Sequence, residues 1–497
     1  MPPENDRDFE APGLGRYVPL LIWLIVILIV PAIAMKVMSC GYLPHDDALR
    51  HAAKAVSGKS WPGILVLGNA YKIDHNFGWE LLLRQIHLWT RWNAESLVVF
   101  SVVGLFVLIG WSGLPWLKRP EAWLATLLLL STVGIFASTA MFGRPYLITM
   151  TVLVTLLFMW HTRGTAPPWW LTGAWLTALI ALSVFIHGAW YFWALPVAAF
   201  FCAREYRWGL VLALAWIAGT LLGAAFTGHP VIYLSQALEL AFRVTGMNRL
   251  SRTLAGELEP TAGNPFVLVL LGALVVMRQM AKLNMRPITA NPAFWLVCLG
   301  WVLGFKAERF WDDWGFPALM VLVAFDLQSL FETRLALHSV RRLALTGGLA
   351  LSAYIAMTSD VGGRWTNNLT TEYLTEDNAE LKGWLPGKGG TFYSADMSFF
   401  YQTFFKNPQA DWRYILGFEP TLMPDDDFKT YNRILWNFGD GRAFKPWVDK
   451  MRMEDRLAIR GQSGAPPQIS ELEWKFAVSG VWIGKLSDTN APPPPSK

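Results

Sequence analysis

The fold is decided by an apolar run at positions 17–38, YVPLLIWLIVILIVPAIAMKVM, and by the polar stretch that follows at positions 40–51, CGYLPHDDALRH. An apolar run of about 17 to 25 residues can cross a bilayer as a helix, and this one is too long for the core of a cleavable signal peptide. We therefore predict a retained transmembrane helix. The adjacent carboxylates of Asp46 and Asp47 then stand where the chain leaves the membrane.

The composition of the whole chain is typical of a membrane protein. Of its 497 residues, 53% are hydrophobic and 16% are charged, whereas a soluble domain carries about 25% charged residues. The chain also has 27 tryptophans, a residue that favours the membrane interface. The net charge of +5 fits basic cytoplasmic loops better than a nucleic-acid surface, so no nucleic-acid partner is expected.

Further apolar runs predict an α-helical polytopic membrane protein of about 11 transmembrane helices. With the N-terminus in the cytoplasm, every predicted cytoplasmic loop is short and basic, including those that carry Arg278 and Arg342, in agreement with the positive-inside rule. An odd number of spans places the C-terminus outside, and the expected location is the inner (plasma) membrane of a bacterium. The predicted spans are 17–38, 96–116, 122–141, 146–161, 169–186, 189–203, 208–226, 265–281, 293–305, 315–331 and 341–358.

The sequence divides into regions of different character. Residues 1–16 are predicted to be a cytoplasmic tail, and residues 17–360 a transmembrane module with an outer loop at 39–95. Residues 361–490 are predicted to form a periplasmic α+β domain, and the proline-rich end, 491–497, a disordered tail. In the α+β domain the sequence predicts strands at Gly390–Ser394 and Phe476–Ile483 and helices at Asp425–Tyr431 and Pro446–Met453.

The outer loop holds the first candidate site residues. A helix that begins near His45 would place Asp46 opposite Arg50 and Asp47 opposite His51. The alternative is a helix N-cap with solvated charges. Because the acidic pair lies at a membrane exit in a histidine-rich loop, we favour a functional role.

A second candidate group follows at Asp74 and His75. Asp74 could cap the next helix or take part in chemistry, and the sequence leaves both roles open. That helix is amphipathic and is predicted to lie in the membrane interface with its apolar face towards lipid. Its polar face, from Glu80 to Arg91, is predicted to be solvated.

Cations at other outer positions are candidates for anion binding. Arg144 lies at a hairpin tip, and Lys306 and Arg309 are spaced to share a helical face. Arginine can bind phosphate through two parallel hydrogen bonds. The alternatives are a snorkelling arginine at 144 and neutralisation of the second pair by nearby carboxylates such as Asp313. His187, at the end of an apolar run, is expected to be structural.

Together these stretches resemble the membrane-embedded, lipid-dependent glycosyltransferases of GT-C type, and most closely the branch of protein O-mannosyltransferases and aminoarabinose transferases. The similarity extends over about residues 17–331, and the order of the motifs is more specific than any one of them. The chain departs from the family at Asn76 and Phe77, where prolines are usual. The stretches that carry the resemblance are Asp46-Asp47, Asp74-His75 with Leu81–Arg84, Arg144-Pro145-Tyr146, and Arg309-Phe310 with Pro317.

The resemblance implies inverting transfer of a sugar from a polyprenyl-phosphate donor to a glycan, lipid or protein acceptor on the outer face. Asp46 would be the general base, Asp47 or Asp74 would orient the acceptor or the base, and cations would hold the lipid phosphate. Phosphate is a good leaving group, so no metal is required; a divalent cation that bridges Asp46, Asp47 and a histidine is the minor alternative. The expected substrate-binding residues are His75, Arg144, Tyr146, Lys306 and Arg309.

Two other classes of protein are alternatives. A transporter or flippase for a lipid-linked or anionic substrate would carry ionisable residues deep inside its spans, whereas the predicted spans are nearly without charge. A structural protein whose outer domain binds polysaccharide would leave Asp46 and Asp47 without a role. We therefore expect an enzyme.

Overall fold

The structure, a computed structural model, describes residues 15–487 apart from 70, 133–138, 163–167, 247–264, 282–286, 367, 438, 462–463 and 479. The described residues are mostly helical, with a small sheet near the C-terminus. They form two compact units. The helical unit is Met1–Tyr42, Val99–Pro230 and Gly256–Thr366, and the mixed unit is Leu43–Val98, Val231–Ala255 and Asn367–Lys497.

The helices are named in chain order. Several begin with a proline, whose missing amide proton is not needed in the first turn. The helices are α1 Val18–Ser39, α2 Asp47–Ser57, α3 Phe77–Thr90, α4 Ala94–Trp111, α5 Pro120–Ser131, α6 Tyr146–His161, α7 Trp169–Ile186, α8 Ala194–Cys202, α9 Tyr206–Ala225, α10 Pro230–Gly246, α11 Pro265–Met280, α12 Pro292–Gly304, α13 Phe316–Arg334, α14 Val340–Thr358, α15 Met397–Lys406, α16 Asp425–Trp436 and α17 Lys445–Val448.

The predicted apolar spans coincide with helices of unequal length, although part of the predicted span 122–141 lies outside the described residues. Among the described residues, five helical segments are long and apolar enough to cross a membrane: Gly15–Ser39, Ala94–Trp116, Trp169–Ile186, Tyr206–Ala225 and Trp311–Arg334. Shorter apolar helices occupy Pro120–Ser131, Tyr146–His161, Trp190–Cys202, Pro265–Met280 and Pro292–Gly304. The last predicted span lies on α14, which is in neither group. The structure is compatible with a multi-pass membrane protein, and the count of eleven spans stays a prediction.

The outward surface of α9 has the character of a lipid-facing helix. Leu210, Leu214, Ile217 and Leu221 recur every three to four residues, and each is more than half exposed. A soluble protein rarely exposes so continuous an apolar stripe to water. A lipid environment would cover this stripe.

Buried ion pairs occur in the described part of the helical unit. Arg342 Nε and Nη2 donate to the two carboxylate oxygens of Glu121 at 2.5 and 2.8 Å. Arg278 Nε and Nη2 donate to the oxygens of Asp326 at 2.8 and 2.7 Å. These arginines therefore do more than make their loops basic. In addition, Asp326 is a charged residue inside a candidate span, where the sequence predicted almost no charge. Close pairing with the opposite charge makes this burial tolerable.

The described part of the mixed unit contains a sheet of the strands β1 Thr391–Tyr393, β2 Arg413–Tyr414, β3 Arg456–Arg460, β4 Leu472–Phe476 and β5 Val481–Leu486. The strand order is β2-β1-β3-β5-β4. β1 is parallel to β2 and β3, whereas β5 is antiparallel to β3 and β4. Trp447, Ile434 and Leu457 belong to the core that covers the sheet.

The secondary structure of this region agrees only in part with the prediction. The predicted strand Gly390–Ser394 is present as β1, and the predicted helix Asp425–Tyr431 is part of α16. The single strand predicted at Phe476–Ile483 is wrong, because that stretch holds the end of β4, a turn with Gly480 at φ 73°, and the start of β5. The alternation of apolar and polar residues continues across the hairpin, so the sequence pattern does not reveal the turn. The helix predicted at Pro446–Met453 is confined to the short α17.

Candidate active site

The first turn of α2 positions the acidic pair. Asp46 occupies the N-cap position, and the helix begins at Asp47, whose Oδ1 accepts a hydrogen bond from Arg50 Nε at 2.7 Å. The Asp47 carboxylate therefore makes its ion pair with Arg50, one position before the predicted partner His51, although its charge also acts on His51. Within the described structure the Asp46 side chain makes no cap hydrogen bond, so the capping alternative is not realised.

Asp74 approaches the same arginine from the turn before α3. Its Oδ1 accepts from the backbone amide of Asn76 at 2.7 Å, and its Oδ2 lies 3.6 Å from Arg50 Nη1. The side chain is almost fully buried. Asp74 thus fills both roles that the sequence left open. Its Oδ1 caps the turn before α3, and its Oδ2 belongs to a charged site.

Glu80 joins this group, which corrects the predicted solvated face of α3. Its Oε1 lies 3.6 Å from His51 Nδ1 and 4.0 Å from Arg50 Nη1. α3 packs this face against α2 and leaves apolar residues outside, with Trp89 80% exposed. The position of Arg50 decides the orientation, because a buried guanidinium attracts carboxyl groups from both sides. Arg50, His51 and Glu80 were not predicted as site residues.

We call Arg50, His51, Asp74 and Glu80 the Arg50 cluster. Residues from the C-terminal part of the mixed unit close it. The Phe418 ring centroid is 3.9 Å from Arg50 Cζ, a cation–π distance. Tyr401 Oη donates to Asp47 Oδ1 at 3.3 Å, across 354 positions of sequence. Local sequence patterns carry no signal for contacts between such distant positions.

Backbone hydrogen bonds attach the outer loop to the sheet beside the cluster. Leu65 forms a parallel bridge with Tyr414 of β2. Val66 N donates to Tyr414 O at 2.9 Å, and Tyr414 N donates to Ile64 O at 2.9 Å. The loop therefore extends the sheet beyond β2 and covers that edge.

Side chains of α10 fix the segment that leads to Asp74. Gln236 Oε1 accepts from two consecutive backbone amides at 2.6 and 3.0 Å, and its Nε2 donates to Ile73 O at 2.5 Å. Tyr233 Oη donates to His75 O at 2.9 Å. His75, a predicted substrate-binding residue, is thus held by its backbone next to Asp74.

Burial and neighbouring charges set the protonation of the cluster. Burial, reinforced by the charge of Asp74, raises the pKa of Glu80 well above its usual value, so the charged form of this carboxyl group is disfavoured. Burial and the adjacent charge of Arg50 lower the pKa of His51 to about 3, so the imidazole is neutral. Burial also disfavours the charged form of Asp74, but attraction to Arg50 and other neighbours outweighs it and lowers the pKa of Asp74.

The hydrogen bonding of the Arg50 cluster is incomplete. Within the described structure, Arg50 Nη1, both ring nitrogens of His51, Asp74 Oδ2 and Glu80 Oε1 are buried without a hydrogen-bond partner. Roughly 90% or more of buried polar groups in proteins have such a partner. Several open groups at one place indicate a site that water or a ligand completes.

A divalent cation bridging Asp46, Asp47 and a histidine does not fit this arrangement. Asp47 Oδ1 already accepts from Arg50 and Tyr401, so these two donors compete with a metal ion for that carboxylate. Among the residues that the structure describes, no group of three or more His, Cys, Asp or Glu side chains is placed to hold a metal.

In the helical unit, Arg309 is held by two neighbours. Its Nε donates to Asp313 Oδ2 at 2.9 Å, and its Nη2 donates to His187 Nε2 at 2.6 Å. Since Nε2 accepts, a neutral His187 carries its proton on Nδ1, which lies 3.3 Å from Thr149 Oγ1. The neutralising carboxylate considered as an alternative is therefore present, and the histidine expected to be structural contacts a predicted site residue.

The other predicted cations of the helical unit have different surroundings. Lys306 lies outside a helix, between α12 and the short π-helix Trp311–Gly315, so the helical face predicted for Lys306 and Arg309 is wrong. Arg144 Cζ lies 5.3 Å from a neighbouring phenylalanine ring. Tyr146 is buried at the start of α6, and its hydroxyl donates to a backbone carbonyl at 3.2 Å.

Comparison with known proteins assigns no family. No protein-family model matches the chain, and no curated protein is significantly similar to it. The resemblance to GT-C glycosyltransferases therefore rests on the sequence stretches that carry it.

Proposed function

We propose that this protein is an integral-membrane glycosyltransferase that transfers a sugar, with inversion, from a polyprenyl-phosphate donor to an acceptor on the outer face. The observation that carries the proposal is the buried, incompletely hydrogen-bonded Arg50 cluster in the chain segment after the first candidate span. Buried charges that lack full pairing reduce stability, so they are more often kept for function. The proposal includes eleven spans, a cytoplasmic N-terminus and a bacterial plasma-membrane location.

Asp46 is the general base in this proposal. Arg50 and Tyr401 engage Asp47, which suits an orienting role, so the role of base is assigned to the neighbouring Asp46. The acceptor hydroxyl oxygen forms a bond with the anomeric carbon, and its proton passes to the Asp46 carboxylate. The bond from that carbon to the phosphate oxygen breaks, and its electron pair leaves with the lipid phosphate.

The lipid phosphate is assigned to Arg309, Arg144 and Lys306. Negative charge grows on the leaving phosphate, so cations whose orientation is already fixed stabilise the transition state most. Arg309 has the best support, because Asp313 and His187 fix the orientation of its guanidinium group.

A transporter or flippase of a lipid-linked or anionic substrate is the second candidate, and one observation favours it. Asp326 lies within the candidate span Trp311–Arg334, and charges inside a membrane often mark a transport path. Both oxygens of Asp326, however, accept from Arg278. A complete pair of this kind suits a structural contact, so we rank the transferase first.

An assay on the full chain in lipid nanodiscs separates these functions. The donors are synthetic polyprenyl-phosphate sugars that carry mannose, glucose or aminoarabinose, and the acceptors are a serine–threonine peptide, a glycolipid and a short glycan. We expect at least one pair to give glycosylated acceptor and polyprenyl phosphate, measured by mass spectrometry. Movement of a fluorescent lipid-linked sugar across proteoliposomes, with no transfer from any donor, would overturn the proposal and support the transporter.

Arg309→Ala tests the assignment of the phosphate in the same assay. The loss of a charged hydrogen bond should weaken donor use by an amount equivalent to ~1.5–3 kcal/mol, with acceptor use unchanged. Arg334→Ala, which changes an exposed arginine at the end of α13, is the matched control. Equal donor KM values for the two variants would contradict this assignment.

A further inference from the structure

The contact between α15 and α2 brings the C-terminal part of the chain to the acidic pair. Tyr401 lies on α15 and is 7% exposed. Its hydroxyl donates to Asp47 Oδ1 at 3.3 Å, and the same oxygen accepts from Arg50 Nε at 2.7 Å. A carboxylate oxygen that receives two donors is stabilised in its charged form and held in one orientation.

The position of Tyr401 is fixed by contacts on both sides. Phe400 and Phe404 are buried in the same helix and stack with ring centroids 5.6 Å apart. The end of α2 is tied to the segment after α15, because Lys59 Nζ donates to the backbone oxygens of Gln409 and Ala410 at 2.9 and 2.5 Å. The hydroxyl therefore does not have to order a mobile side chain when it meets Asp47.

The contact between Tyr401 and Asp47 also affects the proposed base, Asp46, through the backbone. Asp46 precedes Asp47, and its carbonyl accepts from Leu49 N at 2.9 Å in the first turn of α2. Fixing Asp47 therefore fixes the turn that carries Asp46. The ionisable groups that face Asp47 include Arg50 and His51 on α2 and Tyr401 on α15.

We infer that Tyr401 is a positioning residue for sugar transfer, which makes the C-terminal part of the mixed unit a component of the active site and not an accessory domain. The inference rests on the proposed function, because it assigns Tyr401 to the reaction carried out at Asp46. Tyr401 acts through Asp47. It holds this carboxylate ionised and oriented, and it thereby fixes the first turn of α2, which carries Asp46.

A double-mutant cycle tests this inference. Tyr401→Phe removes the hydroxyl and keeps the packing, so the fold should survive. In the wild-type background we expect kcat to fall roughly tenfold, the worth of one hydrogen bond to a charged group, with donor KM unchanged. In an Asp47→Asn background the same change should have little further effect, since the partner has lost its charge. Tyr393→Phe is the matched control, because Tyr393 lies in the same unit and is equally buried at 7% exposure.

The pH profile adds a readout that a purely structural role would not change. A hydrogen bond to the charged form lowers the pKa of a carboxyl group, so its loss should raise the pKa of Asp47. The acid limb of the kcat profile should then move to higher pH in Tyr401→Phe, and not in Tyr393→Phe or when Asp47 is already Asn. An unshifted limb, or equal losses of kcat in both backgrounds, overturns the inference.

Thermal unfolding of the same four proteins in the cycle separates this inference from the proposed function. Coupling between Tyr401 and Asp47 in the unfolding temperature confirms their contact whether or not a donor is used. If wild type transfers no sugar from any donor in the panel, the proposed function fails, and the role of Tyr401 in transfer fails with it. If wild type transfers sugar and the cycle shows no coupling in kcat, the role of Tyr401 alone fails.

Discussion

Arg342 in the helical unit and Arg50 in the mixed unit are both 1% exposed, and each lies near carboxyl groups. Arg342 makes two hydrogen bonds with Glu121, at 2.5 and 2.8 Å, and a third with Leu337 O at 2.9 Å. Arg50 donates to Asp47 at 2.7 Å, but its Nη1 is 3.6 Å from the oxygen of Asp74 and has no hydrogen-bond partner in the described structure.

The difference separates two uses of buried charge. A pair whose hydrogen bonds are all made inside the protein joins two helices and leaves nothing for a ligand. Buried donors and acceptors without partners reduce the stability of the protein. The same open groups can bind and orient a reacting group. Burial of an arginine alone therefore does not identify a site, and neither does one open donor such as Arg119 Nη1 beside Glu121; several open groups gathered at one place do.

Arg342→Ala is expected to have the largest effect on stability. It leaves Glu121 buried with only the more distant Arg119, whose Nη1 is 3.9 Å from Glu121 Oε1, so the loss should approach the roughly 3–5 kcal/mol of a broken buried pair. The double variant Arg342→Met with Glu121→Leu should recover most of this loss, because both charges are gone. Thermal unfolding of the solubilised protein measures both variants. A double variant as unstable as the single one would show that the pair is more than a structural contact.

Asp74→Asn and Glu80→Gln compare the two carboxyl groups of the Arg50 cluster. Asp74 is ionised beside Arg50, so its neutralisation should reduce the free energy of unfolding by ~1.5–3 kcal/mol. Burial disfavours the charged form of Glu80, and glutamine has the same size without a charge, so the second variant should lose less. Unfolding of both variants at neutral pH checks this order. A greater loss for Glu80→Gln would mean that Glu80 is ionised in the folded protein.

The pH dependence of stability provides a separate test of Glu80. Its folded-state pKa is raised above the ordinary value of 4.5, so the unfolded chain releases this proton first. The stability that Glu80 contributes is therefore present below pH 4.5 and is lost as the pH rises through the folded-state pKa, at about 1.4 kcal/mol per pKa unit of the shift. Glu80→Gln should remove this loss. The unfolding temperature of the variant should therefore increase relative to that of wild type as the pH rises. Parallel curves would contradict the raised pKa.

The smallest expected effect is at His187, where one of two substitutions keeps an acceptor for Arg309 and the other removes it. His187→Ala leaves Arg309 Nη2 without its present partner, and donor KM should rise by up to about tenfold, the equivalent of ~1.4 kcal/mol. Glutamine can accept through its amide oxygen, so His187→Gln should stay near wild type. Initial rates over a range of donor concentrations measure both. Equal KM values in the alanine and glutamine variants would argue against this hydrogen bond.

Features encoded by neighbouring residues were predictable from the sequence. The apolar run at 17–38 gives α1, and alternation gives β1. The acidic pair was also located correctly at the start of a helix, although the ion-pair partner of Asp47 is Arg50 and not the predicted His51.

Features that depend on distant positions were not predictable. The sequence of α3 contains a polar and an apolar face, and which one turns inward depends on Arg50 in another helix. The contacts of Phe418 and Tyr401 with the site depend on the outer loop joining the edge of the sheet at Tyr414. No local periodicity encodes that junction.

The most direct test of the central claim is the turnover of Asp46→Asn in the sugar-transfer assay. Asparagine keeps the size of the side chain but cannot take the acceptor's proton, so turnover should fall by ~10²–10⁴-fold at unchanged thermal stability. Asp47→Asn should lose less, and Asp426→Asn, at an exposed position of α16, should match wild type. Near-normal transfer by a stably folded Asp46→Asn protein would contradict the account.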